Sequence, residues 1–134
     1  MLQVRDHMQP LTHSLSPELG LAEAMDRLHL ADLGGLPVLD DQRRLIGFLS
    51  EQDCIPALLT GSYHCDSRTR VEDLMSRTPL FVDPDDSILD LARQMTGAKP
   101  RLYPVMEGDR VIGLISRRRV MQALNTQLKQ CQAT

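Results

Sequence analysis

Ser50 and Asp53 stand three apart, where the apolar run Gly47-Phe48-Leu49 gives way to a helix-compatible segment that begins at Glu51. A buried strand turning straight into a helix at a serine sets a hydroxyl and a carboxylate beside the free backbone N–H groups of the first helical turn, and those groups favour an anion. The same Ser-x-x-Asp spacing is also close to a capping box, in which the serine satisfies orphan N–H groups and the acid complements the helix dipole. Most of the stretch returns as Gly113-Leu114-Ile115-Ser116, but there the position of Asp53 is taken by Arg119, the last of the run Arg117-Arg118-Arg119. Arginines at a helix start oppose the helix dipole, and a local rule broken in this way invites a functional explanation.

Other chemistry finds little support. There is no Gly-x-Ser-x-Gly elbow, no Gly-x-x-x-x-Gly-Lys phosphate loop and no His-Glu-x-x-His metal pair, so an enzyme is the weakest reading. Cys54, one residue after Asp53 and near a helix start, could have a lowered thiol pKa, although burial as a small apolar residue is the commoner fate. Cys54, Cys65 and Cys131 are odd in number and lack Cys-x-x-Cys spacing, so reduced thiols are expected rather than a disulfide framework or a zinc site. The four histidines are scattered without metal-ligand spacing.

Net charge is −3, divided unevenly: residues 1–67 hold four arginines against ten acids, net −6, and residues 68–134 hold eleven basic residues against eight acids, net +3. That basic excess, with 3% aromatics, is too small to argue for nucleic acid. No apolar run approaches the ~18 residues of a membrane span, and the opening Met-Leu-Gln-Val-Arg-Asp lacks a secretory pattern, so a cytoplasmic chain without a membrane partner is expected. With 134 residues, 42% of them hydrophobic and none a tryptophan, the chain can bury an aliphatic, methionine-rich core.

The elements that must position Ser50 and Asp53 come twice. Val4, Asp6 and Met8 recur as Val71, Asp73 and Met75, Pro17 as Pro84, and Pro37-Val38 as Pro104-Val105, all 67 residues on. Gly47 recurs as Gly113 after 66, so the second copy has lost one residue where a hairpin loop is expected. In the first copy, a short apolar segment around Leu11 precedes Ser16-Pro17-Glu18, which reads as a helix start, and Leu21, Met25 and Leu28 give that helix one apolar face. Leu36 to Leu39 and Leu45 to Leu49 read as a hairpin around Asp40 to Arg44, and a helix runs from Glu51 to about Leu59. The second copy repeats this with Phe81-Val82, a helix starting at Asp83-Pro84-Asp85-Asp86 and carrying Ile88, Ala92 and Met95, a hairpin around Glu107-Gly108-Asp109, and a helix from Ser116 through Leu124. The expected organisation is repeat 1–60, linker 61–70, repeat 71–126 and a polar, frayed tail over 127–134. The fold class is α/β (α+β): two β-α-β-β-α repeats packed sheet to sheet with pseudo-twofold symmetry, since a unit of about sixty residues buries too little surface to be comfortable alone.

The ordered set of opening strand, Pro-capped helix, Leu/Tyr-Pro-Val strand, short hairpin and Gly-h-h-Ser-x-x-Asp, h being apolar, resembles a tandem pair of cystathionine β-synthase (CBS) domains, a Bateman module, over roughly residues 4–126. The resemblance implies a regulatory sensor that binds an adenosine-containing ligand (AMP, ADP, ATP or S-adenosylmethionine) in the cleft between two repeats. It needs no cofactor, although Mg²⁺ could accompany a polyphosphate. It implies a disc-like homodimer and, with no output domain in the sequence, a separate effector protein. Carried over by position, Asp53 becomes the ribose ligand and Ser50 the phosphate ligand, with Leu11, Leu36, Pro37 and Val38 enclosing the adenine. For Leu36 and Val38 simple core packing is an equal alternative. In the second cleft Arg119 cannot accept hydrogen bonds from a ribose; Ser116 with Arg117, Arg118 and Arg119 could instead meet phosphate. A solvated basic turn, or an Arg119 paired with an acid, is the plainer reading of those arginines. The competing function is a CBS-fold interaction or scaffold protein whose clefts are vestigial.

Overall fold

The computed structural model describes residues 2–97 and 99–133. The chain folds as two compact units, and they are not the two sequence repeats: one joins Met1–Leu11 to Leu80–Thr134, the other is Thr12–Pro79.

In the unit Thr12–Pro79 an antiparallel hairpin, β2 (Gly35–Leu39) and β3 (Leu45–Ser50), is backed by α1 (Leu21–Ala31) and α2 (Glu51–His64). Leu15 bridges Val38 in parallel on one edge, and Ser76 pairs antiparallel with Phe48 on the other. The short helix α3 (Val71–Leu74) delivers Ser76 to that edge. The second unit is built alike. β4 (Leu102–Glu107) and β5 (Arg110–Ser116) form the hairpin, Val82 bridges Val105, and β1 (Gln9–Pro10) pairs with β5. A 3₁₀ turn at Val4–Asp6 stands in for α3, and α4 (Ile88–Gln94) and α5 (Arg117–Ala133) complete the unit.

Each unit therefore keeps the expected order, but the leading segment of each sequence repeat lies in the unit formed by the body of the other. The hydrogen bonds show how. Val71 N–H and Glu72 N–H donate to the Leu19 and Pro17 carbonyls at 2.9 and 3.0 Å, and Val4 N–H and Arg5 N–H donate to the Asp86 and Pro84 carbonyls at 2.9 Å each. These bonds explain a difference from the sequence expectation. Ser16-Pro17-Glu18 and Asp83-Pro84-Asp85-Asp86 are turns rather than helix starts, because their carbonyls are used by the arriving segments. α1 begins at Leu21 and α4 at Ile88, where Ser87 Oγ accepts from Leu89 N–H and Asp90 N–H at 3.1 and 3.4 Å. The opening strand contact falls at Leu15, not around Leu11, which is half-buried outside any strand.

Both hairpins have a bulge at the same place, between Val38 and Leu39 and between Val105 and Met106. The missing residue lies in the hairpin loop as expected: five residues separate β2 from β3, two separate β4 from β5. The core of the second unit gathers Val4, Val82, Ile88, Leu91, Met95, Tyr103, Val105, Ile115, Val120 and Ala123. Leu21, Ala24, Leu28, Leu36, Val38, Leu49, Cys54 and Val71 are buried at corresponding positions of the other unit. The C-terminal segment differs from the frayed tail expected over 127–134: α5 continues to Ala133, and Thr134 lies outside the described residues. The segment holds leucine, lysine, glutamine and alanine, all good helix formers, with no glycine or proline to stop it.

Candidate functional site

β3 passes into α2 without a loop. Ser50 is the N-cap, extended at φ −103° and ψ 155°, and its Oγ accepts from Asp53 N–H at 3.3 Å. Glu51 N–H is bonded to the Gly34 carbonyl at 3.0 Å. Ser50 is half-buried and Asp53 exposed. A capping hydroxyl still has its own proton to donate and a second lone pair, so capping and ligand binding by Ser50 are compatible.

Asp53 does not close a capping box. In such a box the acid at the third helical position reaches back to the N-cap N–H, as Asp73 Oδ2 does to Arg70 N–H at 2.9 Å and Asp6 Oδ2 to Gln3 N–H at 3.3 Å. Ser50 instead ends β3, paired across the ladder with Gly35. Among the described residues the Asp53 carboxylate has no hydrogen-bond or ion-pair partner. Cys54, next along the helix, is fully buried, and its Sγ–H donates to the Ser50 carbonyl at 3.5 Å. Burial, with the negative charges of Asp53 and Glu51, pushes the thiol up to about 11. The helix start therefore does not make this cysteine a nucleophile.

The second copy matches in backbone and differs in charge. Arg119 N–H donates to Ser116 Oγ at 3.2 Å and Arg117 N–H to the Arg101 carbonyl at 2.7 Å, the counterparts of the Asp53 and Glu51 bonds. Arg117 is half-buried, Arg118 and Arg119 are exposed, and no side chain of the three makes an ion pair or hydrogen bond among the described residues.

Strand register divides the residues expected around an adenine. Gly35 pairs with Ser50 and Pro37 with Phe48, so these four share one face of the hairpin. Leu36 pairs with Leu49 and Val38 with Gly47 on the opposite face; Leu36 is 1% and Val38 0% exposed. Leu36 and Val38 therefore take the core-packing alternative, whereas Pro37 keeps company with Ser50. Leu11 belongs to the other folded unit. The sequence reading passed over Phe48, which lies across Gly35 so closely that a β-carbon there would stand 2.6 Å from Phe48 Cε1. Counting by twos from Ser50 would have found it. Among the described residues no three metal-ligating side chains converge, and no helix is long and apolar enough to cross a membrane.

Two hairpin-and-helix units, each with a serine-capped helix springing from its inner strand, define a tandem α+β repeat protein. The chain belongs to the CBS domain family, which it matches over residues 4–60 and again over 71–126. It is 28% identical over 113 residues to MJ1225 of Methanocaldococcus jannaschii, covering 84% of this chain but only 39% of that protein's length. The CBS domain-containing protein YhcV of Bacillus subtilis is 27% identical over 116 residues, 87% of this chain and 81% of YhcV. The crystal structure of CBSX2, a CBS-pair protein of Arabidopsis thaliana, in complex with AMP superposes with a TM-score of 0.81 at 30% identity, covering 96% of this chain and 99% of that one.

Proposed function

We propose that this chain is a regulatory sensor that binds an adenosine-containing ligand at the turn from β3 into α2, Asp53 taking the ribose hydroxyls and Ser50 a phosphate oxygen. The observation that carries the reading is the Asp53 carboxylate: exposed, without a partner among the described residues, and not reaching back to its N-cap as Asp73 does. Ser50 Oγ already caps α2, so the helix does not need that carboxylate. A ligand that presents two hydroxyls to it and an anion to the helix start satisfies both groups. The AMP bound by CBSX2 is a ligand of that chemistry. Mg²⁺ enters only with a polyphosphate. Response to the ligand passes to a second copy of the chain in a homodimer, or to a separate effector, by preferential binding to one arrangement.

The test is a thermal-shift titration of nucleotide-stripped protein with AMP, ADP, ATP and S-adenosylmethionine, beside Asp53→Ala. Ligand at a hundred times its dissociation constant adds about 2.7 kcal/mol, several degrees for a chain of this size. A shift that Asp53→Ala loses is expected; folded protein that responds to none of the four sinks the reading. One observation favours a competing CBS-fold interaction module with vestigial clefts, namely Arg119 in the second aspartate position. That module predicts the silent titration.

A further inference from the structure

The turn from β3 into α2 holds two negative charges and few donors to offset them. Glu51, Gln52 and Asp53 open α2, and both acids are exposed, without an ion-pair partner among the described residues. Glu51 leans back along the hairpin: a β-carbon at Gly34 would stand 3.5 Å from its Oε1. The helix start has little left with which to draw in an anion. Glu51 N–H is taken by the Gly34 carbonyl and Asp53 N–H by Ser50 Oγ, which leaves the Gln52 N–H and the Ser50 hydroxyl proton.

The unit Thr12–Pro79 keeps its cations elsewhere. It has six arginines and no lysine. Arg43 and Arg44 lie in the hairpin loop, at the end of β3 away from Ser50. Arg27 bonds the Ser14 carbonyl, Arg77 the Glu72 carbonyl, and Arg70 faces the Glu72 carboxylate at 3.9 Å. Arg68 lines a groove with Pro56, Thr60 and His64, further along α2. The buried Cys54 thiol registers the local field: after burial itself, the charges of Asp53 and Glu51 raise it.

We infer that the site selects adenosine ligands whose 5′ group is cationic, neutral or a single phosphate, that it rejects uncomplexed ADP and ATP, and that Glu51 sets the selection. This rests on the sensor reading above and narrows its ligand. One phosphate finds the Ser50 hydroxyl and the Gln52 N–H. A second or third adds negative charge beside a carboxylate, where the unit supplies no cation. The test is isothermal titration calorimetry of the nucleotide-stripped full chain with S-adenosylmethionine, AMP, ADP and ATP, first in EDTA and then with Mg²⁺. Asp53→Ala is run alongside, and only binding that it abolishes is counted, so that ATP held by Arg117, Arg118 or Arg119 does not enter. In EDTA, AMP is expected to bind about tenfold or more tightly than ATP, and Mg²⁺ to narrow the gap. Glu51→Gln should raise ATP affinity about tenfold and AMP affinity by less, and Glu51→Lys should bring ATP level with AMP or above it. Glu51 is exposed and Ser50 caps α2 without it, so both variants are expected to fold, which circular dichroism checks; the wild-type ratio decides without them. ATP bound as tightly as AMP in EDTA, or a folded Glu51→Gln protein with an unchanged ratio of the two affinities, overturns the selection and leaves the sensor standing. Silence toward all four ligands overturns the sensor and the selection with it.

Discussion

Met75 lies on Gly47: a β-carbon at Gly47 would stand 2.5 Å from the Met75 sulfur and 2.9 Å from the Ser76 carbonyl oxygen. Gly113 meets the counterpart segment, 2.5 Å from the Gln9 carbonyl oxygen and 3.2 Å from the Met8 sulfur. The glycine that opens each Gly-h-h-Ser stretch is thus required by a segment arriving from the other sequence repeat. Neither glycine has a positive φ, so the constraint is one of space. Gly113→Ala is expected to cost about 1–3 kcal/mol, the usual range for overpacking, because the obstacle is backbone. Gly47→Ala is expected to cost less, since its nearest obstacle is a methionine side chain and its backbone obstacle, the Ser76 carbonyl at 2.9 Å, stands farther off than the Gln9 carbonyl does from Gly113. Urea melts of the two variants check the order, and a Gly113→Ala midpoint equal to wild type would refute the account.

The hairpin loop between β2 and β3 holds a pH-dependent contribution. Asp40 Oδ1 accepts from the Arg44 and Gln42 backbone N–H groups at 2.8 and 2.9 Å, and Oδ2 from Arg44 Nε at 2.9 Å. The Arg44 N–H above all, then the Arg44 side chain and the Gln42 N–H, hold this carboxyl below its ordinary value. A carboxyl lowered on folding contributes stability that is present above its unfolded pKa, near 4, and is lost as pH falls through the lower folded value. Asp40→Asn should therefore melt below wild type by a constant margin above about pH 5, and the margin should shrink below about pH 4. A margin independent of pH would show that charge plays no part.

How much of this was legible in the sequence depends on the range of the interaction. Ser50 and Ser116 as helix caps, the two hairpins and the residue missing from the second loop are local, and the repeat made each visible twice. The turns at Pro17 and Pro84 looked like helix starts because proline and acid there obey the local rule. What overrides it is a set of bonds from residues more than fifty positions away, to Val71 and Glu72 in one unit and to Val4 and Arg5 in the other. The same long-range exchange separates the folded units from the sequence repeats. At the site, the helix start at Ser50 and the place of Asp53 in its first turn were local and legible. Leu36 and Val38 were taken together with Pro37, although a strand's period of two sends them to the opposite face.

The cysteines should divide by burial. Cys54 is buried with its thiol raised to about 11, while Cys65 and Cys131 are exposed. A thiol reagent at pH 8 is expected to modify the two exposed cysteines of native protein quickly and Cys54 only on unfolding, since the thiolate is the reactive form. The sign of the linked stability follows: an acid raised on folding contributes below its unfolded pKa, and that contribution is lost as pH climbs from about 9 to about 11. Native protein that loses all three thiols at one rate would contradict the burial.

Tyr103 stands where the other repeat has Leu36, and its buried hydroxyl has no hydrogen-bond partner among the described residues. The ring is 2% exposed among Val82, Ile88, Val105 and Ile115, and burial pushes its phenol upward from the ordinary tyrosine value. A buried polar group without a partner costs about 1–3 kcal/mol of desolvation. Removing it while keeping the ring should recover part of that without opening a cavity. Tyr103→Phe is thus expected to raise the melting temperature, whereas Tyr103→Leu, which copies the first repeat, should lower it by leaving space where the ring was. A Tyr103→Phe protein less stable than wild type would mean that the hydroxyl has a partner after all, and a high-resolution crystal structure would then be expected to show an ordered water on Tyr103 Oη.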